Sequence, residues 1–137
     1  MKPIEKVQEI LDKYDLDVHI PEKYATVYKY RIAEPEKCEK EFCSSEITDR
    51  TLFEKYEKYI PKGWYGFSIG DPTPPNWYKC LDEVLEYLTK EDPEFEIHQI
   101  KTKFGGIRFY VESQNIEHIW DICALIERAM YDRKLIY

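Results

Sequence analysis

The stretch EIHQIKTKFGGIRFY, residues 96–110, gathers His98, Lys101, Lys103, Arg108 and Tyr110 around a double glycine. These residue types suggest three kinds of chemistry. Clustered cations can hold an anion or a nucleotide phosphate. A tyrosine offers a flat ring for stacking and a polar tip. A histidine titrates near neutral pH and can serve as a general base. The stretch is not a phosphate loop, because no hydroxyl residue follows the lysine to open a helix. Each feature also has a plain structural explanation. Charges on the outer face of a hairpin stay solvated and discourage edge pairing, and a mid-strand histidine is commonly satisfied by a neighbour.

A second candidate lies upstream, in GWYGFSIGDPTPPNW, residues 63–77. Trp64, Tyr65 and Phe67 stand between glycines, and Asp71 precedes a helix start. The glycines permit close approach of backbone or ligand, and a helix start favours anions. The competing expectation is structural: Trp64 as a buried staple joining this loop to the core.

Other chemistries find less support. Of the four cysteines only Cys38 and Cys43, in CEKEFC, are close in sequence. Structural zinc usually takes two tight ligand pairs, and Cys80 and Cys123 fall on apolar helical stripes, where cysteine acts as a small hydrophobe. A Cys38–Cys43 disulfide is not expected in a reducing cytosol. His19, His98 and His118 follow no metal-binding spacing, and no serine sits in a nucleophile elbow. We therefore expect no catalytic set, no metal and no cofactor.

The elements that must position these residues follow from periodicity. Ile4, Val7, Ile10, Leu11 and Tyr14 share one helical face, with Pro3 near its first turn. Leu16–Ile20 reads as a short extended segment, residues 23–33 as a strand and residues 34–46 as a loop. Thr48 or Asp49 can cap a helix reaching about Tyr59. A short strand is expected within residues 63–70. Thr73 can cap the next helix, with Pro74 in its first position and an apolar repeat from Trp77 to Leu88. Glu94–Thr102 and Ile107–Glu112 form a hairpin turning at residues 103–106, with Ile107, Phe109 and Val111 facing inward. Ser113 or Asn115 can cap a last helix over about 116–131, and the tail RKLIY docks back. The expected fold is a single α+β domain over residues 1–137: a small, mostly antiparallel sheet packed against three to four helices.

Composition narrows the functional classes. The chain has 137 residues, 43% hydrophobic and 34% charged, which fits one ordered core. No apolar run approaches the roughly 20 residues that span a bilayer. The charged N-terminal stretch does not read as a signal peptide, so a cytoplasmic location, in a bacterial or phage-infected cell, is expected. With 27 acidic and 20 basic residues the formal charge is −7. That balance disfavours direct nucleic-acid binding and suits either plain solubility or a partner with a basic surface. Twelve tyrosines, within 15% aromatic content, suit an interface or simply tyrosine-rich strands.

The order GWY, helix, K-FG-(I/L)RFY hairpin, helix resembles a group of small bacterial and phage-encoded proteins, over residues 62–130. Lys103, Phe104, Gly105, Arg108, Phe109 and Tyr110 carry the hairpin motif. The resemblance implies an α–β–β–α order and a phage or mobile-element origin, but no activity. Some members continue into a cysteine-rich segment with no counterpart here, so no metal role is implied.

These observations together favour a non-enzymatic binding protein, such as a phage- or mobile-element-encoded inhibitor of a host defence system acting by protein–protein contact. The alternatives are a binder of a nucleotide signal or other anionic small ligand, and an immunity protein that neutralises a toxin. The expected contact residues are Trp64, Tyr65, His98, Lys101, Lys103, Arg108 and Tyr110.

Overall fold

The computed structural model describes residues 1–17, 47–70, 73–103 and 105–131. The expected strand over 23–33, the loop over 34–46, His19, Cys38, Cys43, Asp71 and the C-terminal tail lie outside these residues. Helix α1, Pro3–Asp12, starts at a proline whose missing N–H costs nothing in a first turn, and buries Val7, Ile10 and Leu11. Helix α2, Asp49–Tyr56, is capped by Thr48 in a reciprocal capping box with Thr51, and runs into a 3-10 turn over Glu57–Tyr59. Strand β1, Gly66–Ser68, is followed by helix α3, Pro75–Glu91, then by strands β2, Glu96–Lys103, and β3, Gly106–Glu112. Helix α4, Ile119–Ala129, comes last.

The fold is α+β, with four α-helices and a three-stranded sheet of order β1-β2-β3 among the described residues. The expectation of a mostly antiparallel sheet needs correction. β2 and β3 pair antiparallel, but β1 runs parallel to β2, with α3 as the connection between them. A parallel neighbour requires such a crossover, and β1, three residues long, carries no alternation that could reveal it in sequence.

Two helix starts also differ from expectation. Pro74, not Thr73, occupies the cap of α3, and the Thr73 hydroxyl donates to the Gly70 carbonyl at 2.5 Å. α4 begins after His118, which is left-handed with φ 59°, rather than near residue 116. Neither Ser113 nor Asn115 caps it: the helix has no side-chain cap, and the Ser113 hydroxyl instead accepts the Ile116 N–H at 3.1 Å within the turn that precedes it.

The helices supply one contiguous core. Trp77, Leu81, Val84, Leu85 and Leu88 of α3 and Ile122 and Ile126 of α4 bury against Ile97 and Ile100 of β2 and Ile107, Phe109 and Val111 of β3. Burying a single large side chain of this kind contributes roughly 1.5–3 kcal/mol. The Trp77 indole N–H donates to the Leu16 carbonyl at 3.1 Å, tying the segment after α1 to α3. Between α2 and α3, the Tyr56 hydroxyl donates to the Asp82 carboxylate at 2.7 Å. The Asp49 carboxylate accepts the N–H groups of Ile69 and Gly70 at 3.0 and 2.9 Å and so anchors the end of β1 to α2. No helix among the described residues is long and apolar enough to cross a membrane.

Candidate functional site: the outer face of the sheet

Strand periodicity decides which side chains reach this face. Ile107, Phe109 and Val111 point into the core, so Arg108, Tyr110 and Glu112 point out. β2 is less regular. Ile97 and Ile100 are both buried although three residues apart, which strict alternation forbids. A β-bulge resolves this: Ile97 pairs with Val111, and Gln99, not His98, pairs with Tyr110. The extra residue is His98. Bulges re-aim a side chain locally, and here the imidazole lies flat against the Trp64 indole. The ring centroids are 4.2 Å apart and the planes differ by 1°. His98 Nε2 is 3.0 Å from Glu96 Oε1, which orients the imidazole within the stack.

Register places the remaining candidates. Lys101 lies directly opposite Arg108, two pairs along from Tyr110 and so on the same face, and its ammonium is 6.0 Å from the Tyr110 ring centroid. Lys103 pairs with Gly106 at the turn, where Gly105 holds φ +80°, a conformation that glycine adopts without strain. Gly106 has its own constraint, because a Cβ there would stand 2.6 Å from the Tyr131 ring.

Along the strands the outer face therefore runs from carboxylates (Glu96, Glu112) through rings (Trp64 on His98, then Tyr110) to cations (Lys101, Arg108, Lys103). Trp64 is 49% exposed and Tyr110 47%. This corrects the expectation of Trp64 as a buried staple; Trp77, fully buried, has that role. Tyr65 is 72% exposed beside Trp64 and takes no part in the stack.

Glu127 was not a candidate from sequence, yet it organises one border of the site. Its Oε2 accepts the Phe109 N–H at 3.0 Å, and its Oε1 lies 3.7 Å from the Arg108 guanidinium. One turn further on, the Met130 carbonyl accepts the Ile107 N–H at 3.0 Å. α4 thus covers the donors of an edge strand, which otherwise invite pairing with another chain. The signal was present in the sequence as a carboxylate flanking the apolar stripe of the last helix.

Asp92 is the second residue that was not a candidate from sequence. It is 1% exposed. Burial alone would raise its pKa. Three donors outweigh burial: the Ser113 hydroxyl at 2.6 Å, the Asn115 amide at 2.9 Å and the Glu94 N–H at 2.9 Å. They hold the carboxyl below the usual aspartate range. Asp92 forms the floor of an open recess of about 270 Å³ whose rim includes Glu94, Glu96 and Glu112.

The two cysteines among the described residues are poor nucleophiles. Burial, then nearby carboxylates, push the thiols of Cys80 and Cys123 up to about 12. Among the described residues no group of three or more His, Cys, Asp or Glu could hold a metal ion. Comparison with family models, with curated proteins and with solved structures gives no match to this chain.

Proposed function

We propose that this chain is a binding protein rather than an enzyme, and that it grips its partner with the outer face of the sheet. The observation that carries this is the Trp64 indole, stacked on His98 on one side and about half exposed. A large ring held rigid at the surface loses little entropy when a partner covers it, and such rings dominate binding energy where they occur. Tyr110, Lys101 and Arg108 extend the same surface, so the partner that fits offers a flat group and a negative charge. The raised thiols of Cys80 and Cys123 support a non-catalytic role, since neither supplies thiolate near neutral pH.

A second occupant has its own support. The carboxylates of Glu94, Glu96 and Glu112 crowd the recess above Asp92 and complement a protein with a basic surface. Inhibition of a defence protein or neutralisation of a toxin would use that end of the sheet.

Photo-crosslinking separates the two. A photoreactive phenylalanine is placed at Tyr65, beside Trp64, at Gln114, on the recess, or at Gln8, on α1. Binding at the rings gives an adduct from position 65 and none from 114 or 8. An adduct from 114 alone supports the acidic end instead. Equal labelling from all three positions, or none from any, removes both.

A further inference from the structure

Resting on the first of those readings, we propose that the ring-and-cation half of the outer face binds a mononucleotide: a nucleobase against the open side of Trp64, and a phosphate between Lys101 and Arg108. The indole already has the imidazole on one face, so a second planar ring completes a three-layer stack with Trp64 at its centre. Base–aromatic stacking is tolerant of base identity because every base has a π-face.

The cations lie where a phosphate would fall. Lys101 is three residues beyond His98 on β2, about 10 Å along the strand. The lysine side chain covers part of that distance and a ribose covers the rest. Lys101 and Arg108 face each other across the strand pair. Among the described residues Lys101 makes no ion pair, and Arg108 meets only the long contact to Glu127. A guanidinium has five N–H donors in a planar fork, so most of that capacity is left for phosphate oxygens. Tyr110 lies between the two halves of the site, where a sugar would sit.

The ligand is a single nucleotide, not a polymer. The overall charge of −7 repels a polyanion at long range. A strand of nucleic acid continuing past the rings would also run onto Glu96 and Glu112. One phosphate needs only the two facing cations.

The test uses the intact protein labelled with ¹⁵N. Its three tryptophan side chains, Trp64, Trp77 and Trp120, give three indole N–H signals, assigned with Trp64→Phe and Trp120→Phe. The probes are the four common nucleoside 5′-monophosphates, adenosine, inorganic phosphate and a twelve-base oligodeoxynucleotide. At least one monophosphate should shift the Trp64 signal saturably while buried Trp77 stays fixed, and should raise the melting temperature. Adenosine and phosphate alone should each bind at least tenfold more weakly, and Trp64→Ala and Arg108→Ala should each weaken binding tenfold or more. No Trp64 shift at millimolar concentration of any monophosphate overturns the proposal. So does an oligonucleotide that binds more tightly than the monomers, or adenosine that binds as well as its phosphate. A specific position-65 adduct without any nucleotide response sinks the nucleotide alone and leaves the binding face standing.

Discussion

Asp92 and Trp64 are handled in opposite ways. The carboxylate of Asp92 is buried, and three donors from Glu94, Ser113 and Asn115 hold it. The indole of Trp64 is half exposed and, among the described residues, stacks on one ring, that of His98. A buried carboxylate whose oxygens are taken up by donors of its own chain is closed to a partner, so its contribution goes to the fold: it joins the end of α3, the segment leading into β2 and the turn before α4. A half-covered ring contributes little to the fold and keeps one face for something else. Residue type alone would have suggested the reverse, since an aspartate is a common functional residue and a tryptophan a common core one. The discriminating quantity is how much of each group's bonding capacity the chain itself consumes.

The largest expected effect is at the buried carboxylate. Asp92→Ala leaves a buried hydroxyl, a carboxamide and a backbone N–H without their acceptor. Hydrogen bonds to a charged group contribute about 1.5–3 kcal/mol each, with strong non-additivity. A loss of about 3 kcal/mol is expected, a fall of roughly 10 °C in melting temperature for a chain of this size. Urea unfolding monitored by circular dichroism measures it. A loss under about 1 kcal/mol would mean that water replaces the carboxylate and that the contrast with Trp64 is false.

A smaller effect appears in the pH dependence. The folded-state pKa of Asp92 is held below the ordinary aspartate value of about 3.9. The folded state therefore binds fewer protons than the unfolded chain around that pH, and stability falls as pH falls. The Asp92 contribution is fully present above about pH 5, shrinks below about pH 4, and is gone once the folded-state carboxyl protonates. Asp92→Asn can keep an oxygen acceptor for Glu94 and Asn115 while removing the titration. The stability gap between wild type and Asp92→Asn should thus narrow between pH 5 and pH 2. Glu83 and Glu86, held low chiefly by Lys13 and Lys55, act in the same direction but are common to both proteins and cancel in the difference. A gap that stays constant or widens over this range would show that the carboxylate charge is not what the three donors stabilise.

Much of the fold was legible because it rests on short-range periodicity. The stripe from Trp77 to Leu88, the Thr48 cap and the inward set Ile107, Phe109 and Val111 appear where the pattern places them. What was hidden depends on partners distant in sequence. β1 pairs with a strand beyond a whole helix, Asp49 serves residues twenty positions away, and Asp92 takes two donors from beyond the hairpin. No local spacing encodes such pairings. The bulge is intermediate: Ile97 and Ile100 at a spacing of three already conflict with a regular strand, and the conflict is relieved at His98. The candidate cluster on β2 and β3 followed from alternation alone, whereas the stack of Trp64 on His98 required the bulge and the parallel strand together.

The smallest effect on stability should come from Trp64→Ala, and its smallness is the point. The substitution removes one ring–ring contact, worth about 0.5–1.5 kcal/mol when well packed and less where half of the ring meets water. His98 keeps its Glu96 contact, and no buried polar group loses a partner. We expect a change within about 0.5 kcal/mol, typical of surface substitutions, together with loss of whatever the outer face binds. Paired measurements on one protein preparation, urea unfolding and the position-65 crosslink, decide it. Were Trp64→Ala to cost more than about 1.5 kcal/mol, the indole would be holding the bulge in place. It would then belong with Asp92 among the groups the fold has already used, and the binding surface would have to be sought on Tyr110, Lys101 and Arg108 alone.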